Sequence, residues 1–189
     1  VAGQSINATL APAAIKNGKD ERQLQGFYEN GPDAQLGYTF PSLLTEYVMK
    51  NTHVPVGPWR GVNTNQNGIF MECFMDECAK AAGKDPVKFR QVVMQNHPKH
   101  LGVLNAAAQK ANWDKPLPAG TYRGVAQFMG YASYSACVAE VSVDGNMVHV
   151  KRLVFALNPG HVVNPYLTRE QIEGSVAMAL GAIFNPEIT

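Results

Sequence analysis

Residues 54–80 read VPVGPWRGVNTNQNGIFMECFMDECAK, and the character of this stretch changes near its middle. Its first half is rich in proline and glycine, which disfavour regular structure because proline lacks an N–H donor and glycine frees the backbone. From about Gln66, apolar residues recur at steps of three and four, which predicts a helix that ends near Gly83. We expect the buried face of this helix to be apolar and to contain Phe70, Phe74, Glu77 or Cys78, and Ala81.

Trp59 and Arg60 lie on the stiff loop that leads into this helix. The first turn of a helix leaves backbone N–H groups without helical partners, and such groups favour an anion. A guanidinium held beside a helix start therefore suits a phosphate, a carboxylate or an oxo-anion. A second interpretation also fits, in which Trp59 stacks on Arg60 in a surface loop before an amphipathic core helix.

The composition is that of a globular protein, since 46% of the 189 residues are apolar and 16% are charged. A net charge of +1 argues against nucleic acid as a partner and against an electrostatic membrane anchor. No run approaches the roughly 20 apolar residues of a membrane span, so no transmembrane segment is predicted. The five histidines and three cysteines are not spaced as metal ligands. We interpret the histidines as surface or loop residues and the cysteines as buried thiols.

Further helices are predicted before residue 112. Asp85-Pro86 is typical of a helix start, because an acidic N-cap precedes proline at the first helical position, and this helix is expected to reach about Gln95. A third helix is predicted over His100–Asn112, and the prolines and glycine between residues 112 and 120 indicate a linker.

After the linker the period changes from helix to strand. Residues 136–143 alternate, Asp144-Gly145 is a tight-turn signal, and residues 147–157 form the returning strand of a predicted hairpin. Thr168 and Gln171 have the spacing of a capping box, which predicts the start of a closing helix. The fold class is therefore α+β: a helical portion, residues 1–112, followed by a mixed layer with a β-hairpin and a closing helix, residues 113–189.

Two separated signatures resemble the molybdenum hydroxylase (xanthine oxidase) superfamily. The first combines Trp59-Arg60-Gly61, Gln66, Met71-Glu72 and the run GKDPVKFR at residues 83–90. The second combines AEVSVD at residues 139–144, VVNP at 162–165 and QIEG at 171–174. Their order and gaps are most similar to the large molybdopterin-binding subunits of the isoquinoline 1-oxidoreductase and aldehyde dehydrogenase type.

The resemblance implies an oxidoreductase that hydroxylates an N-heteroaromatic ring or oxidises an aldehyde, using water as the oxygen source. It implies molybdenum on molybdopterin, in the cytosine dinucleotide form, with iron–sulfur clusters on a small partner subunit. The residues it places at the cofactor are Arg60, Gly61, Gln66 and Gln171. The residues it places near the substrate are Trp59, Val62 and Tyr134. It implies no direct protein ligand to the metal, and it leaves the compartment open between periplasm and cytoplasm.

Three of the polar residues have a structural alternative. Gln66 either bonds the cofactor or caps the helix, and Gln171 either faces the pterin or completes the capping box. Glu72 matches a family glutamate, but we expect it to make a structural hydrogen bond rather than to transfer a proton.

The chain also departs from the family pattern. Asn158-Pro159 stands where the family usually has Asp-Cys, and the Gly-x-Gly-Glu motif that supplies the family's glutamate base is missing. We therefore expect an internal fragment of the large subunit, without a catalytic residue of its own and inactive by itself. The competing interpretation is a non-catalytic binding or assembly module that has lost the cofactor. A reading frame that continues into Gly-x-Gly-Glu would favour the enzyme.

Overall fold

The structure, a computed structural model, describes residues 24–27, 35–48, 53 and 59–185. The opening of the proline-rich loop, residues 54–58, lies outside the described residues. The helices and strands follow one another as α1 Thr64–Ala81, α2 Pro86–Val93, α3 Pro98–Ala111, β1 Thr121–Gly130, β2 Ser133–Asp144, β3 Met147–Asn158 and α4 Pro165–Phe184. The predicted α+β class, with helices first, then a hairpin and a closing helix, is confirmed.

The chain divides into two compact units. Residues 1–158 contain α1–α3 and the sheet, and residues 159–189 contain α4. The sequence-based division into residues 1–112 and 113–189 concerns two cofactor-binding regions rather than compact units, and it stays a prediction. No helix in the described part of the chain has the length and apolar character that a membrane span requires.

The sheet is antiparallel, with its strands in the order β1-β2-β3. Val125 pairs with Val138, which pairs in turn with Val154, and all three side chains are buried on the face that packs against α3. Asp144 pairs with Met147 across the tight turn, where Gly145 takes a positive φ of +56° that favours glycine. The predicted hairpin is therefore confirmed, and in the first half of β2 the buried residues Tyr134, Ala136 and Val138 alternate with less buried ones.

The buried face of α1 differs from the predicted one. Met71 and Met75 lie in the core, whereas Phe70 and Phe74 are 64% and 57% exposed. The helix has apolar residues on two sides, so its periodicity alone could not select the buried side. The buried side also contains Glu72. A sequence pattern assigns a charged residue of this kind to the surface, because its partners in the core are distant in sequence.

His97 and His100 are both buried. The interpretation of the histidines as surface or loop residues was wrong for His100, which lies inside α3, whereas His97 lies in the loop before α3 but not at the surface. Nδ1 of His100 lies 2.7 Å from Oε1 of Gln127, and Nε2 of His97 lies 2.9 Å from Oγ1 of Thr39. Burial of an imidazole is tolerable when its ring nitrogens have hydrogen-bond partners, and these partners lie far away in sequence.

The closing helix begins before the predicted residue. Its N-cap is Asn164, whose Oδ1 accepts hydrogen bonds from the backbone N–H groups of Tyr166 and Leu167. Thr168 lies inside the helix and donates its hydroxyl to the carbonyl of Asn164, so the predicted capping box was wrong. Asn followed by Pro at the first helical position is the stronger start signal. Gln171 therefore lies beyond the first turn, and capping does not explain it.

The three cysteines are free thiols, but they are not equally buried. Cys73 is exposed, contrary to the expectation of buried thiols, while Cys78 and Cys137 are half-buried. Burial raises the pKa of Cys137 to about 11, partly offset by a hydrogen bond to the backbone of Val154.

We expect Cys73 to be alkylated by iodoacetamide at least tenfold faster than Cys137 at pH 8, because only about one Cys137 thiol in a thousand is then the reactive thiolate. The rate at Cys137 should continue to rise up to about pH 11. Peptide mass spectrometry measures both sites in the same sample. A rate at Cys137 that levels off below pH 9 would contradict the raised pKa.

Candidate functional site

The loop before α1 is closed by two backbone hydrogen bonds. The N–H of Val62 donates to the carbonyl of Trp59, and the N–H of Thr64 donates to the carbonyl of Gly61, each over 3.1 Å. The Thr64 hydroxyl donates to the same Gly61 carbonyl. The loop is thus a compact turn continuous with the start of the helix.

Side chains of the first helical turn reach back to this loop. Nδ2 of Asn65 donates to the carbonyl of Arg60 over 2.7 Å, and Nε2 of Gln66 donates to Oδ1 of Asn63 over 2.9 Å. Asn63 is the N-cap residue, yet its side chain makes no capping bond to the helix. Asn65 therefore fixes the backbone of the loop at Arg60, a role that the sequence alone did not indicate, whereas Gln66 bonds only the side chain of Asn63.

Gly61 is held in a conformation that favours glycine. Its φ is +91°, and a Cβ built at this position would collide with the side-chain amide of Asn65. Val62 also has a positive φ of +53°, which is uncommon for a β-branched residue. The turn therefore carries backbone strain at two adjacent positions.

We expect Gly61→Ala to destabilise the protein more than the control Gly83→Ala. Both positions have a positive φ, so both variants lose about 1 kcal/mol from backbone conformation. A Cβ at Gly83 meets nothing within 4 Å, whereas one at Gly61 collides with Asn65. Urea unfolding of the two variants isolates this collision, and equal loss of stability would show that Asn65 moves aside freely.

Most of the side chains that are assigned to the cofactor and substrate at this loop are exposed. Trp59 is 61% exposed, Arg60 and Gln66 are also exposed, and Val62 is half-buried. The structure brings these residues together at the start of α1. Their contacts with a cofactor or substrate stay predictions, and for Gln66 the bond to Asn63 is the contact that the structure shows.

Tyr134 and Gln171 occupy different surroundings. Tyr134 is buried in the first unit, with its ring edge-to-face with His100 at 4.8 Å and the Lys99 ammonium 5.5 Å from its centre. Gln171 is exposed on α4, in the second unit. The substrate contact assigned to Tyr134 and the cofactor contact assigned to Gln171 stay predictions.

Glu72 is the acceptor at the centre of a buried polar network. Its carboxylate accepts hydrogen bonds from the Tyr38 hydroxyl over 2.6 Å, from Nε of Arg90 over 3.1 Å and from the backbone N–H of Gln127 over 2.9 Å. Burial raises the pKa of Glu72, while the guanidinium of Arg90 and these hydrogen bonds oppose that increase. The expected structural role of Glu72 is confirmed.

Arg90 completes this network from α2. Its side chain is fully buried, and it donates to Oδ1 of Asp76 over 2.6 Å and to the backbone carbonyl of Glu72 over 2.9 Å. Burial and the neighbouring Glu72 carboxylate also raise the pKa of Tyr38 well above its ordinary value. The network thus fixes α1 to α2, to β1 and to the segment that contains Tyr38.

The donors at the loop suit a negatively charged group rather than a bare metal ion. The first turn of α1 contains no acidic side chain, and the Arg60 guanidinium is exposed beside it. Within the described residues, no group of three or more His, Cys, Asp and Glu side chains could hold a metal ion. The arrangement can therefore donate hydrogen bonds to an anionic cofactor.

Comparison with known proteins points to the same chemistry. A family described as "Molybdopterin cofactor-binding domain" matches residues 65–189. One subunit of the nicotinate dehydrogenase of Pseudomonas putida is 29% identical over 149 residues, which is 69% of this chain and 12% of that protein. No solved structure matches the chain.

Two further relatives align with much of the chain. The membrane-bound aldehyde dehydrogenase [pyrroloquinoline-quinone] of Gluconacetobacter polyoxogenes is 28% identical over 204 aligned positions, 95% of this chain and 26% of that protein. The beta subunit of the isoquinoline 1-oxidoreductase of Brevundimonas diminuta is 27% identical over 151 residues, 77% of this chain and 19% of that protein. The chain spans only 12% to 26% of the length of these three relatives. Because the family match covers more than half of it, the chain belongs to the molybdopterin cofactor-binding domain family of xanthine oxidase-type molybdenum oxidoreductases.

Proposed function

We propose that the chain is part of an enzyme that hydroxylates an N-heteroaromatic ring or oxidises an aldehyde, with water as the oxygen source. The observation that carries the proposal is the family match over residues 65–189, which begins in the first turn of α1. Two relatives are named after N-heteroaromatic compounds, nicotinate and isoquinoline, and a third is named as an aldehyde dehydrogenase.

The residues at the loop fit molybdopterin as donors to its anionic groups. Arg60 and Gln66 would hold these groups together with backbone N–H groups of the first helical turn. Gly61, which has no side chain, would let the cofactor approach the backbone. Gln171 would make a separate contact from α4. The cofactor supplies the oxidation–reduction chemistry when it is bound.

The chain's own residues position and stabilise rather than transfer protons. The fixed guanidinium of Arg60 would stabilise negative charge that develops beside it in a site shielded from water. Trp59, Val62 and Tyr134 would shape the space for the substrate. We assign no general base to the chain, and we expect the 189 residues by themselves to be inactive.

We also propose the partners of the complete protein. The names of two relatives, the nicotinate dehydrogenase and the isoquinoline 1-oxidoreductase proteins, describe each as a single subunit, so their enzymes contain further subunits. We propose a small iron–sulfur subunit that removes electrons, and the cytosine dinucleotide form of the pterin.

Turnover of the complete protein in ¹⁸O-labelled water tests this function. The assay offers a heteroaromatic substrate such as quinoline, an aldehyde such as benzaldehyde, and an artificial electron acceptor. The proposal expects one product to contain ¹⁸O from water. Product oxygen that comes from O₂, or no turnover of either class by protein loaded with molybdenum, would reject it. Properly assembled protein that lacks molybdenum would instead favour a binding or assembly module.

A further inference from the structure

A second feature of the first unit is a cavity of about 400 Å³ between α2, α3 and the turn that follows α3. Buried Val87 and Ala108 form part of its lining, and residues 112–115 form one side. Its volume lies in the range of roughly 300–1,000 Å³ that is usual for small-molecule sites. None of the residues assigned above to cofactor or substrate lines it.

Trp113 forms a fixed aromatic wall of this cavity. Its indole N–H donates to Oδ2 of Asp85 over 2.8 Å, and the Arg123 guanidinium lies over the ring, 5.6 Å from its centre. The same guanidinium donates to the carbonyls of Asn112 and Trp113, over 3.1 Å and 2.7 Å. The ring and its turn are thus held in place from outside the cavity, which lowers the entropic cost of binding a ligand.

The polar lining of the cavity combines an amide pair with an excess of positive charge. Nε2 of Gln91 donates to Oδ1 of Asn105 over 2.8 Å. The lining contains two lysines, Lys88 and Lys115, and a single carboxylate, that of Asp114, so it has a net charge of +1. Lys88 and Asp114 are 3.9 Å apart, with side chains 59% and 83% exposed, so this pair is weak and easily replaced by a stronger partner.

We propose that this cavity is a binding site for a small planar aromatic molecule that bears one carboxylate. The indole of Trp113 packs against the ring of the ligand, and the ammonium groups of Lys88 and Lys115 pair with its carboxylate. The Gln91–Asn105 pair offers one carbonyl acceptor and one amide donor to polar atoms on the ring. The proposal is independent of the oxidoreductase function, because it depends on none of the residues of the Arg60 loop.

Fluorescence of Trp113 provides a direct test. The chain contains two tryptophans, so Trp59→Phe leaves Trp113 as the single emitter. Benzoate, added to this variant of the full chain, should change the emission saturably with a Kd of about 1 mM. Cyclohexanecarboxylate, which lacks the ring, and benzamide, which lacks the charge, should bind at least threefold more weakly.

Lysine substitutions separate this site from non-specific binding. Lys88→Gln and Lys115→Gln, each made in the Trp59→Phe background, should weaken benzoate binding by roughly threefold to fivefold. The control Lys80→Gln, an exposed lysine at the end of α1, should leave binding unchanged. Circular dichroism verifies that each variant is folded. No saturable response, equal responses to the three probes, or equal effects of the three lysine variants would overturn the proposal.

Discussion

Replacing Arg90 with alanine should lower the free energy of unfolding by about 3–5 kcal/mol, because it leaves the buried carboxylate of Glu72 without its cation. The side chain of Arg90 is fully buried and that of Glu72 is only 6% exposed, so water cannot take over the lost contacts. The variant also removes the bonds to Asp76 and to the Glu72 carbonyl, which fix α2 to α1. Urea unfolding, followed by circular dichroism, measures the change.

Arg169→Ala is the matched control for this prediction. Arg169 also forms an ion pair, with Glu173 over 2.7 Å, but its side chain is 76% exposed. The change in the free energy of unfolding on its removal should therefore fall within the error of the measurement. If Arg90→Ala does not fold, Arg90→Lys should fold with reduced stability, since one ammonium cannot reproduce the separate contacts of the guanidinium. Equal stabilities of the Arg90→Ala and Arg169→Ala variants would show that the network does not stabilise the fold.

Replacing Arg60 with alanine in the complete enzyme should lower turnover about 100-fold or more without unfolding the protein. This prediction rests on the proposed function, in which the guanidinium stabilises developing negative charge. The side chain is exposed, and the hydrogen bond that the structure shows at this residue uses its backbone carbonyl, which alanine keeps. Steady-state kinetics and thermal unfolding of the same preparations measure the two effects separately.

Lys80→Ala is the control for Arg60→Ala, because it removes a positive charge from the opposite end of α1. Its turnover should equal that of the unmodified enzyme. If Arg60→Ala retains full turnover, Arg60 does not belong to the site. If Arg60→Ala lowers the melting temperature as well as the activity, the residue has a structural role instead.

Local signals predicted most of the secondary structure. Asp85-Pro86 and Asp144-Gly145 each determine a helix start or a turn through residues that are adjacent in sequence, and both are found where they were predicted. Near the start of α4 the sequence contains two possible N-caps, Asn164 and Thr168. The helix begins after Asn164, and Thr168 lies inside it. Such local signals locate a helix start or a turn when one is present, and they leave the position ambiguous when two lie close together.

The interior of the fold could not be predicted in the same way, because it depends on distant partners. Glu72 bonds to Tyr38, Arg90 and Gln127, which lie 34, 18 and 55 residues away in sequence. Without those partners a glutamate indicates an exposed position, so the sequence pattern places Phe70 and Phe74 on the buried side of α1 instead. The buried histidines were missed for the same reason.

The candidate site shows the same limit. Proline, glycine and arginine before a helix predicted a stiff loop beside its N-terminus, and the resemblance supplied the cofactor. The contact between Asn65 and the Arg60 carbonyl places the Asn65 side chain where a Cβ at position 61 would lie, and no spacing of residues predicts this arrangement.

Molybdenum and pterin analysis of the complete, properly assembled protein is the direct test of cofactor binding. Elemental analysis by mass spectrometry measures the metal, and fluorescence of the oxidised, released pterin measures the organic part of the cofactor. If the chain is part of a molybdopterin-binding subunit, molybdenum and pterin should be present in equal amounts, stoichiometric with the polypeptide. Assembled protein that contains neither would contradict this assignment.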